Sequence, residues 1–286
     1  AYYDAYLRDR LIYETALEAE ALGVLRRAAE LGALRAMDQA EAILERAVTQ
    51  PVAIDRRARV HELAEALFQS IRMQLSVGRY QAIAVGRGAN LDTIDVPLNN
   101  RVWLEGQFAQ LRPLEREADR LRGIAALLDR TDPGPGGFYD DLGDPSRQPH
   151  LVRGPGYAAD PDFRRSALVG FGRRPDWPLA WSRNAQSLYD APLEMHYGGL
   201  DPSARYRVRV VYAGDNFQPR LRLEAEGWEV HPWLPKPDPV RPVEFAIPAQ
   251  ATADGALTLR WTQEPGRGGN GRGCQVAEVW LIRQAN

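Results

Sequence analysis

The amino-acid sequence predicts an α+β protein in two segregated parts: an N-terminal antiparallel helical bundle, then a C-terminal antiparallel β-sandwich of jelly-roll type. Three observations carry this. Of 21 prolines, only Pro51, Pro97 and Pro113 precede residue 131, and helix interiors exclude proline while turns and strand edges accept it. Of 7 tryptophans, only Trp103 lies in that first stretch. The second stretch alternates apolar and polar residues with period two, and no helix-length periodic segment separates those runs, which argues against βαβ crossovers. Thr131–Gly137, TDPGPGG, cannot continue a helix. The predicted domains are therefore a helical bundle over 1–130, a Pro/Gly linker over 131–137 and a sandwich over 138–286.

In the first part, residues 6–34 are rich in Ala, Leu, Glu and Arg, the strongest helix formers. Leu11, Ala16, Leu22, Leu25 and Ala29 are expected to form its apolar face, with Gly23 and Gly32 as weak points. A second helical run spans 34–48 and stops at Pro51. Asp55 is a candidate cap for a third, running to about Val77, in which Leu63, Leu67, Ile71 and Leu75 recur at spacing four and predict one buried face. Residues 78–100 break the pattern. The helical pattern then resumes over 101–130, with a bend expected at Pro113. Long connections often carry function, which marks 78–100 as a segment of interest.

In the second part, Tyr206, Val208, Val210 and Tyr212 share one face of a predicted strand, with Arg207 and Arg209 opposite. Leu221 and Leu223, then Val243, Phe245 and Ile247, then Leu257, Leu259 and Trp261 repeat the pattern. The closing run 275–283 is apolar on both faces, as a central strand should be. Residues 167–171 and 193–197 are weaker strand candidates. PWLPKPDPVRP at 232–242 is expected to be a stiff extended connection.

Composition bounds the function. Lys+Arg 36 against Asp+Glu 38 gives a formal net charge of −2, too little basic excess for a general nucleic-acid binder. No apolar run reaches the roughly 18 residues of a membrane-spanning helix. The single cysteine, Cys274, excludes an internal disulfide and a Cys-rich zinc site, and no reactive-thiol motif surrounds it. The only lysine is Lys236. GRGGNGRGCQ at 266–275 therefore lacks the lysine of a phosphate loop, and it precedes a strand rather than a helix. HExxH and GxSxG are absent, and GRGGNG at 266–271 has the GxGxxG spacing but precedes a strand rather than opening a helix.

The runs YRVRVVYAGD (206–215), VEFAIP (243–248), DGALTLRW (254–261) and QVAEVWLIR (275–283) together resemble the galactose-binding-like β-sandwiches found in many carbohydrate-binding modules. The resemblance covers about 138–286. It implies a jelly roll that binds a glycan through its loops or one concave face, often with a structural calcium. The helical part resembles no module we can name. Opening at Ala1, the chain reads as part of a larger polypeptide.

Sugar rings present apolar C–H faces, on which indoles stack while polar neighbours take the hydroxyls. Trp177, Trp181 and Trp233 are the candidate platforms, with His231 beside the last; plugging the sandwich is the competing role for each. Asn270 and Arg272 are candidate polar contacts in the glycine-rich loop, which reads otherwise as a plain hairpin. Asp140, Asp141 and Asp144, with Glu278 as a remote carboxylate, are candidate calcium ligands; solvated Asx turns are the alternative. For catalysis, His150, Arg153, Tyr157 and His196 offer the base, acid and cation of an eliminative cleavage, and Asp190 with Glu194 a carboxylate pair for hydrolysis. Three functions follow as expectations. The first is a non-catalytic glycan-binding module of a larger exported protein, extracellular or periplasmic and with no membrane partner. The second is a polysaccharide lyase or glycoside hydrolase with its site at the domain junction. The third is a structural or assembly subunit.

Overall fold

The computed structural model of the chain describes residues 1–72, 91, 93–162, 164–171, 174, 176–214 and 219–284. These form two compact units, Ala1–Leu128 and Asp129–Asn286.

The first unit is helical: α1 (Tyr2–Leu25), α2 (Ala28–Leu31), α3 (Ala33–Thr49), α4 (Ile54–Ile71), α5 (Arg101–Leu111) and α6 (Glu117–Leu128). Gly23 does not interrupt α1, whereas Gly32, at φ 87, separates α2 from α3. At Gly32 the chain adopts a conformation that residues with a Cβ resist. The Glu117 carboxylate accepts the Ala33 N–H at 2.5 Å and so satisfies one orphan donor of α3. Ala33, Ala36, Met37, Ala40 and Leu44 bury one stripe of α3 at helical spacing. They pack with Ala21, Leu25, Leu104, Phe108 and Ile124.

Two expected helix faces are corrected. In α1 the buried residues are Tyr6, Glu14, Leu17, Ala21 and Leu25, while Leu11 is 50% exposed. The acidic Glu14 disguised the stripe. It is buried because it accepts Arg10 Nε at 2.8 Å and the Leu98 N–H at 2.7 Å. In α4 the buried residues are Val60 and Ala64, and Leu67 and Ile71 lie exposed at 40% and 56%. Residues recurring every four positions drift around a helix of 3.6 residues per turn, so the expected face turns away from the core. Asp55 lies inside the first turn, with Ala53 at the cap position. Most of the 78–100 connection, including its GRG, lies outside the described residues. Its final stretch docks on α1, where Arg10 donates to the Ile94 and Val96 carbonyls at 2.5 and 2.8 Å.

The second unit is a β-sandwich. Its strands are β1 (Phe138–Asp141), β2 (Leu168–Phe171), β3 (Arg183–Gln186), β4 (Leu193–Gly198), β5 (Tyr206–Val211), β6 (Arg220–Ala225), β7 (Trp228–Pro235), β8 (Val243–Ala246), β9 (Ala256–Gln263), β10 (Gln275–Val276) and β11 (Glu278–Arg283). One sheet has the order β1-β11-β5-β8, a second β4-β9-β6-β7, and a small third β10-β3-β2; every pairing is antiparallel. The core between the two large sheets joins Val208, Val210 and Leu281 of the first to Met195, Leu223, Leu259 and Trp261 of the second. Alternation explains the facing: Val208 and Val210 turn inward, while Arg209 turns outward and donates to Glu244 at 2.7 Å. The 232–242 segment is corrected in part, since Pro232 and Pro235 belong to β7. That strand is an edge of its sheet, where a missing N–H costs no ladder bond. The closing run is divided at Ala277, so that β10 pairs with β3 and β11 lies between β1 and β5.

A buried polar relay fixes one end of the core. Tyr212 Oη accepts from Trp261 Nε1 at 2.9 Å and lies 2.6 Å from His231 Nε2. His231 Nδ1 lies 2.8 Å from the Pro232 carbonyl, an acceptor only. The histidine therefore carries its proton on Nδ1, and Tyr212 donates to Nε2. Burial pushes the His231 pKa down, which keeps the ring neutral. Replacing Tyr212 with phenylalanine orphans the indole N–H and the imidazole nitrogen together. The expected loss is about 1–2 kcal/mol, read as a shift in the urea midpoint; an unchanged midpoint would show that the relay contributes nothing.

Candidate functional site

The sequence-predicted residues fall into separate places. His231 is 2% exposed and belongs to the relay, so it is not a surface ligand contact. Trp233 lies half-buried on edge strand β7. Trp177 and Trp181 come together, ring centroids 6.3 Å apart and edge to face, over the outer side of the β1-β11-β5 sheet. Arg174 lies 5.6 Å over the Trp177 ring. The glycine-rich loop folds into a 3-10 turn, Arg267–Asn270, and the Asn270 side chain lies outside the described residues. Arg272 serves here through its carbonyl, which accepts Gln263 Nε2 at 3.1 Å.

The proposed calcium set is corrected by strand geometry. Successive residues of β1 point to opposite faces, so Asp140 and Asp141 cannot share an ion. Asp140 turns inward. Its carboxylate lies 2.9 Å from His150 Nδ1 and accepts the Tyr197 hydroxyl at 3.2 Å. Burial raises the Tyr197 pKa well above its ordinary value, which keeps that hydroxyl a donor. Asp144 forms an Asx turn with Ser146. Among the described residues, no three His, Cys, Asp or Glu side chains gather as a metal site. Among the described residues, Asp140 therefore faces away from the other three proposed carboxylates.

Glu278 has a different role. It is fully buried on the outer face of β11, where its carboxylate accepts Arg130 Nη1 at 2.7 and 2.8 Å, the Tyr139 hydroxyl at 2.5 Å and Trp181 Nε1 at 2.5 Å. Burial, then the Glu278 charge, drives the Tyr139 pKa up, so the phenol stays a donor. One carboxylate thus pins Trp181, β1 and the start of the unit together.

The catalytic quartet does not converge. His150 stacks on Tyr197 at 4.4 Å, inside the sandwich. His196 lies on the opposite face of β4, exposed, with Nδ1 3.3 Å from the Thr258 hydroxyl. Arg153 donates to the Pro145 carbonyl, and Tyr157 is 70% exposed. The carboxylate pair also separates in role. Asp190 accepts the Gly266 N–H at 3.0 Å, whereas Glu194 is ion-paired with Arg260 at 3.5 Å. Cys274 is buried and its pKa is pushed up to about 12, mainly by burial, which makes it an inert packed thiol.

An open groove of about 510 Å³ lies where the 152–165 segment passes the outer face of β4 and β9. Arg164, Arg165, Arg260 and Glu194 supply its polar lining, and Gly154, Pro155 and Pro192 its low walls. The segment is pinned at both ends: the Val152 N–H donates to the Glu194 carbonyl at 2.9 Å, and the Ala167 N–H to the Arg153 carbonyl at 3.2 Å. Gly154, at φ 70, lets the chain close on itself, since a Cβ there would stand 2.1 Å from the Arg165 carbonyl oxygen. The Asp160 carboxylate accepts the Arg164 and Arg165 N–H groups at 2.9 and 2.8 Å, and those bonds hold its pKa below the usual range.

Tyr189 is not among the residues that line this groove but packs against one of them, Arg164. It is 39% exposed, with Arg164 5.2 Å over its ring. Its φ of 54 is left-handed backbone, uncommon for a tyrosine. The loop is held in that form by Gln263 Nε2, which donates to the Tyr189 carbonyl and lies 3.3 Å from Asp190 Oδ1. Sequence reasoning singled out Asp190 and Glu194 here but missed Arg164, Arg165, Arg260 and Tyr189. FRRS at 163–166 is a basic pair in an aperiodic loop, and Arg260 reads only as the solvent side of a strand.

No protein family and no curated protein matches the chain. Solved structures that align with part of the chain include the ANX2 ectodomain from Arabidopsis thaliana, at 8% identity and TM-score 0.39, covering 52% of this chain and 42% of that one. A carbohydrate-binding module, CBM35 from Paenibacillus barcinonensis, aligns at 12% identity and TM-score 0.30 over 53% of this chain and 100% of its own. A mannanase carrying a CBM35, from Podospora anserina, aligns at 9% identity and TM-score 0.29 over 53% and 28%. The chain thus spans less than half the length of the Arabidopsis ectodomain and of the mannanase. Among the described residues, no helix is long and apolar enough to cross a membrane.

Proposed function

We propose that the second unit is a non-catalytic carbohydrate-binding module of jelly-roll type, part of a larger exported carbohydrate-active protein. The observation that carries this reading is the open groove beside β4, lined by Arg164, Arg165 and Arg260, with Tyr189, in left-handed backbone, packed against Arg164. A ring of this kind offers a flat apolar face to a sugar while guanidinium groups bond hydroxyls. The groove has one carboxylate, Glu194, already ion-paired with Arg260, so the two-carboxylate chemistry of glycoside hydrolysis is not built there. His150 and His196 lie on opposite sides of the sheet, which speaks against the eliminative reading.

The test is binding of the full chain across a glycan array, followed by affinity electrophoresis of variants. Tyr189→Ala is expected to weaken binding about five- to tenfold, the worth of one aromatic contact. Trp177→Ala, on the other sheet, should leave it unchanged. Binding abolished by the Trp177 change and indifferent to the Tyr189 change would move the site to the tryptophan face. Absence of binding to any glycan would end the proposal.

A further inference from the structure

We infer that the groove beside β4 selects an anionic glycan, whose carboxylate or sulfate groups are held by Arg164 and Arg165. This rests on the glycan-binding reading above and names the class of sugar. The argument begins with charge. Three guanidinium groups line the groove against one carboxylate. Arg260 is matched by Glu194 at 3.5 Å. Arg164 and Arg165 form no salt bridge among the described residues; Arg164 is engaged by the Tyr189 ring alone.

Several other arginines of the same unit do have carboxylate partners. Arg222 is shared between Glu224 and Glu229, Arg209 pairs with Glu244, and Arg220 pairs with Glu264. Two acids precede this pair: Asp162, which forms no salt bridge with either arginine among the described residues, and Asp160, which is bound to the backbone. Asp160 gives both carboxylate oxygens to the backbone N–H groups of these two residues. It thereby fixes their Cα positions at the groove without forming an ion pair with either guanidinium. Among the described residues neither guanidinium has a salt-bridge partner, although the Arg165 charge is close enough to help lower the Asp160 pKa; a guanidinium binds carboxylate or sulfate oxygens through parallel N–H bonds.

Shape agrees with charge. The volume of about 510 Å³ falls within the range of about 300–1,000 Å³ typical of ligand sites. Glycine and proline walls keep bulky side chains from the approach to the arginines. The stacked Tyr189 places an apolar face beside the cationic pair, which matches an acidic sugar: an apolar ring edge with one charged substituent.

The experiment is affinity electrophoresis of the full chain in gels containing polygalacturonate, chondroitin sulfate or neutral galactan, over a series of ionic strengths. The expected result is retardation by an acidic polymer at least tenfold stronger than by galactan, weakening as salt rises. The carboxylate and sulfate gels identify which anion is preferred. In R164Q/R165Q the acidic retardation should fall about tenfold, the worth of one charged hydrogen-bonded contact. Arg165→Lys, which keeps the charge but loses the fork, should fall between. Equal retardation by galactan, insensitivity to salt, or a double variant that folds and binds like the parent would each overturn the anionic assignment while leaving the glycan-binding reading standing. Failure of every polymer to retard the parent chain would overturn both. If the double variant does not fold, the salt series and Arg165→Lys still decide.

Discussion

Replacement of Glu278 by alanine is expected to destabilise the second unit by about 3–5 kcal/mol, the cost of breaking a buried ion pair from one side. The carboxylate is fully buried and accepts from Arg130, Tyr139 and Trp181 at once. Truncation leaves a guanidinium, a phenol and an indole N–H facing a cavity where the carboxylate stood. Glutamine at this position keeps an oxygen for Trp181 or Tyr139 but not the charge, so its loss should be smaller. Urea unfolding followed by tryptophan fluorescence measures both. A loss below about 1 kcal/mol in the alanine variant would mean that water replaces the carboxylate, and the node would have no structural weight.

The second large effect depends on pH. Asp141 is 2% exposed, and burial is the main cause that raises its pKa to about 6, with Glu278 adding to the shift and Arg183 opposing it. The folded state therefore holds this proton more tightly than the unfolded chain does. Its contribution to stability is fully present below about pH 4 and is lost as pH rises through about 6, a swing of roughly 2–3 kcal/mol. Asp141→Asn removes the titration while keeping an oxygen for the Gly143 N–H, which the native side chain accepts at 3.1 Å. At pH 7.5 the variant should be more stable than the parent by about that amount, and the advantage should vanish near pH 4. Asp201 and Glu264 carry lowered pKa values and act in the opposite direction, so the diagnostic is the difference between variant and parent curves. Parallel curves would refute the assignment.

The strands were legible because a half-buried strand writes its environment into every second residue. Val208, Val210 and Leu259 could be placed inward from spacing alone. The helical faces were less legible, because a buried polar residue such as Glu14 looks like solvent-facing sequence until its partners, Arg10 and the Leu98 N–H, are seen. The groove was hardly legible at all. Arg164 and Arg165 are brought to the groove with Glu194 and Arg260 by the fold alone, and such a grouping is a property of three-dimensional neighbours. The acidic candidates show the same limit: Asp140 and Asp141 are adjacent in sequence and face opposite sides of a sheet. Glu278 was identifiable as a carboxylate in an otherwise apolar strand, but its partner Arg130 lies far away in the chain.

The place of β11 has a kinetic consequence. It is an interior strand, flanked by β1 and β5, yet it comes last among the described strands. Phe138 must find Leu281 across half the polypeptide before that sheet can close. Such high contact order slows folding. Until that encounter, β1 and β5 each present an open row of amide and carbonyl groups to any passing extended segment, the state in which this unit is most exposed to aggregation.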